Sequence, residues 1–157
     1  MSTLSVLIGI PGSGKSHWIK HYTKNFYVVC PDNIRKKYYS DISDQNNNTA
    51  VWNIAKGQVI SALECGHDVV LDATNVNTLY RREFLKDIIP YHKVKAIVFD
   101  ISPKEACSRI ANDIKNGIDR SNVPEQIIYR MYGEYLYTLK VLNQEGFESI
   151  TYESMKV

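Results

Sequence analysis

An α/β fold built on a parallel five-stranded sheet is what this sequence predicts, and three observations predict it. Short apolar runs at residues 4–8, 26–30, 69–71 and 94–99 read as buried strands. Stretches of helical period separate each run from the next, and that alternation sets helices on both faces of a parallel sheet. A glycine-rich octet at residues 9–16 stands directly behind the first run, where a strand hands over to a helix. A fifth strand is expected at residues 148–152, polar enough to sit at an edge.

The octet is Gly9-Ile10-Pro11-Gly12-Ser13-Gly14-Lys15-Ser16, which fits G-x-x-x-x-G-K-[ST] at every required position. Its glycines let successive backbone N–H groups face phosphate oxygens. Lys15 can reach the β- and γ-phosphates, and the Ser16 hydroxyl can ligate Mg²⁺. The helix expected to begin near Gly14 adds its positive end, with His17 on its first turn. A plain glycine turn before an ordinary helix is the alternative. Placement between strand and helix favours a triphosphate site, with ATP and Mg²⁺ as the ligands.

Helices are placed by their ends. Residues 49–65 close with Gly66, Asn77 caps residues 78–89, and Ser102 followed by Pro103 is a cap with a first-turn proline. Pro124 opens a long helix closed by Gly146. Two polar breaks, residues 40–48 and 116–122, read as loops rather than domain linkers. With 157 residues the chain is expected to form a single domain with one active site.

Composition narrows the function classes. A net charge of +2 and 23% charged residues give no nucleic-acid-coating basic surface. Cys30, Cys65 and Cys107 are odd in number and widely spaced, which suggests neither a disulfide framework nor a zinc site. A reducing, cytoplasmic setting fits best, and no stretch is long and apolar enough to span a bilayer.

Ligands of open α/β sheets bind beyond the carboxyl ends of the strands, so residues just after each run are the candidates. After the second run come Asp32, which looks like a helix N-cap, and Arg35 one turn further along the same face. A phosphotransferase needs a carboxylate to accept a hydroxyl proton and a cation to hold an anionic acceptor. The third run ends in Asp72-Ala73-Thr74-Asn75, the form of a carboxylate that holds a magnesium-bound water. Arg81 and Arg82 follow, either solvated or touching a polyanion. Arg109, Lys115 and Arg120 straddle the second break, where a lid cation would close on a transferring phosphoryl group.

Taken together, the octet with His17-Trp18, Asp32-x-x-Arg35, Asp72-x-Thr74-Asn75-x-Asn77 with Arg81-Arg82, and Val123-Pro124 before Arg130-Met131-Tyr132 resemble the kinase domain of the phage polynucleotide 5′-hydroxyl kinases. The likeness runs in the same order along nearly the whole chain. It implies a P-loop kinase, a three-layer sandwich with the loop-bearing strand at the centre of the sheet and a short helical lid. It also implies transfer of the ATP γ-phosphate to the 5′-hydroxyl of DNA or RNA, in the host cytoplasm if the chain is phage-encoded. Asp32 would be the general base, and Arg35 would contact the phosphate next to the hydroxyl. Lys15, Arg109 and Arg120 would complete the catalytic set. Asp72, Thr74 and Asn75 would join Asp32 and Arg35 at the acceptor, with Ser16 and Asp72 toward the metal.

In one respect the chain departs from the family. Two lid arginines one helical turn apart are the rule there, whereas the position one turn after Arg109 is Asp113, so Arg120 is expected to supply the missing cation. Members that also remove 3′-phosphates carry a further domain, for which 157 residues leave no room. A kinase of a small alcohol, a nucleoside or a hydroxymethylated base is the rival enzyme reading, and a nucleotide-dependent switch the non-enzymatic one. Membrane partners are not expected, and a homo-oligomer is left open.

Overall fold

The computed structural model describes residues 2–39 and 48–154. Five strands form one sheet: β1 (Thr3–Ile8), β2 (Tyr27–Val29), β3 (Val69–Leu71), β4 (Lys93–Asp100) and β5 (Ser149–Ser154). Their order is β2-β3-β1-β4-β5 with every pairing parallel, so the loop-bearing strand is central as expected. Six helices connect them: α1 (Lys15–Tyr22), α2 (Pro31–Tyr39), α3 (Asn48–Glu64), α4 (Thr78–Leu85), α5 (Pro103–Lys115) and α6 (Glu125–Val141). The result is the three-layer sandwich of the P-loop kinases.

Two apolar clusters flank the sheet. Leu7, Val70, Ile97 and Phe99 pack with Trp18 and Ile19 of α1 on one face. Their alternates Leu4, Val6, Leu71 and Val98 join Val51 and Ala55 of α3, Ile110 of α5 and Ile128 of α6 on the other. Strand residues point alternately to the two faces, so a sheet covered on both sides selects continuous apolar runs. All three residues of β3 are accordingly buried.

Several boundaries differ from the sequence expectation for identifiable reasons. The helix predicted over residues 78–89 ends at Leu85 and continues as turns. Pro90 biases residue 89 away from helical dihedrals. Asp32 is not an N-cap, because Pro31 already occupies the first helical position of α2, where its missing N–H costs nothing. Pro124 in turn precedes α6 as its cap, with extended ψ, rather than opening it from inside. Gly66 behaves as read: at φ 87° it lets His67 N–H donate to Ala62 O and close α3. Of the polar loop expected at residues 40–48, Asn48 begins α3 and the remainder lies outside the described residues.

Candidate active site

The sheet's carboxyl edge builds the site. Beyond Ile8 the chain turns through Gly12 (φ 83°) and Gly14 (φ 101°), backbone states that L side chains rarely adopt. Gly12 is also crowded, since a Cβ there would lie 2.9 Å from Ala106 O of α5. Gly9 N–H donates to Thr74 O at 3.0 Å, tying the loop to the segment after β3. The Lys15 ammonium donates to Gly9 O and Ile10 O, each at 2.8 Å. Those carbonyls hold the lysine where phosphate oxygens would compete for it. Desolvation lowers its pKa to about 8, opposed by Asp72 and Asp32 and reinforced by Arg120.

A cavity of about 420 Å³ gathers most of the expected residues. Pro11, Gly12, Gly14, Lys15, Ser16 and His17 line one side. Asp32, Asp72 and Thr74 line another, and Arg109 and Arg120 complete it from the lid side, formed by the end of α5 and residues 116–123. Gly9 and Ser13 support the loop from behind, Ser13 being fully buried. Lys115 points to solvent.

Asp72 is pushed above the usual carboxylate range by desolvation, against the pull of Lys15. A carboxylate so placed gains from a nearby cation. Together with the exposed Ser16 hydroxyl it fits Mg²⁺, a cation that keeps several waters and takes phosphate oxygens rather than an all-protein cage.

Arg35 and Asn75 stand just outside the cavity. Arg35 is buried behind Asp32, donating to its Oδ1 at 2.7 Å and to Asn48 Oδ1 at 2.9 Å. Asn75, at φ 51°, turns its amide to Leu7 O at 2.7 Å and so braces the loop after β3. The polyanion reading of Arg81 does not hold. Its side chain is 1% exposed and forms a two-pronged pair with Glu145 (2.8 and 2.5 Å), while also donating to Asn75 O and Thr138 Oγ1. Arg82 is exposed.

Cys30 and Asp113 are among the residues of the cavity wall to which the sequence reading gave no role. Cys30 lines it beside Asp72, and burial next to that carboxylate raises the thiol to about 11. The apolar run expected over residues 26–30 enclosed it, whereas β2 ends at Val29, so its place at the strand's end shows only in the fold. Asp113, noted only as a departure, accepts from Arg120 at 2.7 Å. The acid at the position of the second lid arginine thus holds an arginine supplied from seven residues later.

The AAA domain family model matches residues 4–135. The chain belongs to that family. Membership brings a P-loop domain that binds nucleotides of the ATP type with Mg²⁺. Comparison with curated proteins finds no match. Among solved structures, a chain of the Pnkp1/Rnl/Hen1 RNA repair complex superposes with TM-score 0.77 at 22% identity, over 88% of this chain and 45% of that one. A second structure of a Pnkp1/Rnl/Hen1 complex gives TM-score 0.63 at 22% identity, over 78% and 41%. This domain therefore spans under half the length of both. A gluconokinase from Sinorhizobium meliloti gives 0.58 at 14% identity, over 96% and 81%. At these identities the likeness is one of fold. Among the described residues, no helix is long and apolar enough to cross a membrane.

Proposed function

We propose that the protein is an ATP-dependent polynucleotide 5′-hydroxyl kinase. The observation that carries this reading is the convergence of Lys15, Asp32, Asp72, Arg109 and Arg120 on one cavity, with Arg35 in contact with the Asp32 carboxylate. Asp32 accepts the proton of the 5′-hydroxyl, whose oxygen attacks the γ-phosphorus as the bond to the β-phosphate bridging oxygen breaks and ADP leaves. Phosphoryl transfer has a loose transition state, so catalysis rests on alignment and on neutralising the equatorial oxygens. Lys15, Arg109 and Arg120 supply that charge. Ser16 and Asp72 would hold Mg²⁺, which would add further charge neutralisation when bound. Thr74 and the loop braced by Asn75 form the floor on the acceptor side. Arg35 holds Asp32 from behind, and the family resemblance implies that it reaches the phosphate following the acceptor hydroxyl.

One observation favours a small neutral alcohol instead: the Arg35 guanidinium is already engaged by Asp32 and Asn48. Incubation with γ-labelled ATP, 5′-hydroxyl oligonucleotides and a panel of alcohol metabolites separates the two. Label on oligonucleotide 5′ ends is the expected result, and label confined to metabolites overturns the reading.

A further inference from the structure

Helix α1 carries two histidines one turn apart, in His17-Trp18-Ile19-Lys20-His21. That spacing sets both imidazoles on one face of the helix, the arrangement by which paired helical histidines hold a metal ion. Their rings meet here, stacked with centroids 4.1 Å apart and planes 30° from parallel. Both residues are exposed, so an ion in solution can reach them. Trp18 stands where the metal-dependent proteases of that spacing place a glutamate base, and the pair therefore points to binding rather than to hydrolysis.

A second observation concerns the tautomer. His21 Nδ1 lies 2.9 Å from the His17 carbonyl oxygen. A carbonyl only accepts, so Nδ1 carries the proton and the lone pair of neutral His21 is left on Nε2. Metal-bound histidines are oriented in the same way, with the other ring N–H donated to a carbonyl or carboxylate while the free nitrogen faces the ion. Imidazole–zinc bonds are about 2.0–2.1 Å long, so two nitrogens about 3–4 Å apart can share one ion. Small rotations of two exposed, stacked rings provide that separation.

Ligand type selects the ion. Imidazole suits zinc, nickel and copper, whereas Mg²⁺ takes oxygen, so this pair differs in kind from Ser16 and Asp72. Among the described residues no third His, Cys, Asp or Glu joins the two histidines, and the ion's other positions fall to water and phosphate oxygens. His17 also lines the nucleotide cavity beside Lys15 and Ser16, while His21 stands outside that lining. We propose that His17 and His21 form a site for a divalent transition-metal ion of the zinc and nickel class at the rim of the nucleotide cavity, and that the charge of the bound ion tightens the hold on a nucleoside triphosphate. The second half rests on the ATP reading of the cavity, and the first half does not.

The test is titration of the protein with Ni²⁺ under excess Mg²⁺, followed by calorimetry and by proton NMR. One ion should bind per chain, and the paramagnetic ion should broaden the ring protons of His17 and His21 before those of His67 and His92. Loss of a ligand's outer partner alone weakens metal binding by about 10–100-fold, and His21→Ala, which removes a ligand outright, should cost at least as much. This variant, at an exposed position outside the cavity lining, should keep its wild-type ATP affinity without Ni²⁺. With Ni²⁺, wild type should bind ATP about 5-fold or more tightly than the variant, a comparison in which chelation of Ni²⁺ by free ATP cancels. Equal Ni²⁺ affinity in the two proteins, or first broadening at His67 or His92, would overturn the site. Equal ATP affinity in the two proteins with Ni²⁺ present would overturn the coupling. Failure of ATP to bind at all would sink the nucleotide reading and the coupling with it, and leave the metal site standing.

Discussion

Two arginine–carboxylate pairs, Arg81 with Glu145 and Arg120 with Asp113, use the same chemistry for opposite purposes. The first is almost wholly enclosed, its side chains 1% and 2% exposed, and every bond it makes joins parts of the scaffold. Through Asn75 O and Thr138 it ties α4 and the loop after β3 to α6 and the turn beyond it. The second lies at the mouth of the nucleotide cavity, 26% and 30% exposed, within electrostatic reach of Lys15. Burial separates a charge that fixes the floor of a site from one that can act on what enters it.

The largest effect is expected from opening the enclosed pair. Glu145→Gln leaves Arg81 buried without a countercharge, at a cost of about 3–5 kcal/mol. Thermal melting should show a midpoint roughly 10 °C lower, since about 2–4 °C accompanies each kcal/mol at this size. An unchanged midpoint would erase the contrast between the two pairs.

Next in size, Arg120→Ala should reduce kcat by about 10²–10³, the usual loss when one preorganised donor to the transferring group is removed. Its melting midpoint should stay near wild type, because a half-exposed pair contributes only about 0–1 kcal/mol. Rapid-quench transfer assays alongside melting curves separate those outcomes.

A smaller effect follows from Lys15. In the free protein its ammonium is lost as pH rises through about 8, and bound phosphates restore it. Burial depresses this pKa, so the charged form is the disfavoured one and ATP binding takes up a proton above that pH. Affinity should then fall by up to about tenfold per pH unit until the pKa of the complex is reached. Calorimetry in buffers of different ionisation enthalpy reads the proton directly, and pH-independent affinity between 7 and 9.5 would contradict the assignment.

The smallest change is expected for Asp113→Asn, which keeps a hydrogen-bond acceptor for Arg120 but removes the charge. It should lower kcat a few-fold with KM for ATP unaltered. A loss as large as that of Arg120→Ala would make Asp113 a group that touches the reacting atoms rather than one that positions Arg120.

The same contrast explains what could be read from the sequence. The strands were legible because a sheet covered on both faces demands apolar runs, and the Walker loop because its spacing is set by phosphate geometry. Asp32, Asp72, Arg109 and Arg120, which line the cavity, stand out in the sequence because they follow strands or flank a break. Arg81 was misread because its partner lies 64 residues away, and such a long-range pair leaves no local pattern. A second cavity, lined in part by Trp52, Tyr80 and Glu134, left no local signal for a related reason: these residues come from three helices whose faces meet only in the folded chain.

Most direct for the central claim is the transfer of labelled γ-phosphate to a 5′-hydroxyl oligonucleotide, measured with ATP affinity for wild type, Lys15→Ala and Asp32→Ala. Both variants should lose transfer, and only Lys15→Ala should lose most of its ATP affinity. Full activity in Asp32→Ala would remove the carboxylate beside the Walker loop from the reaction and contradict the account.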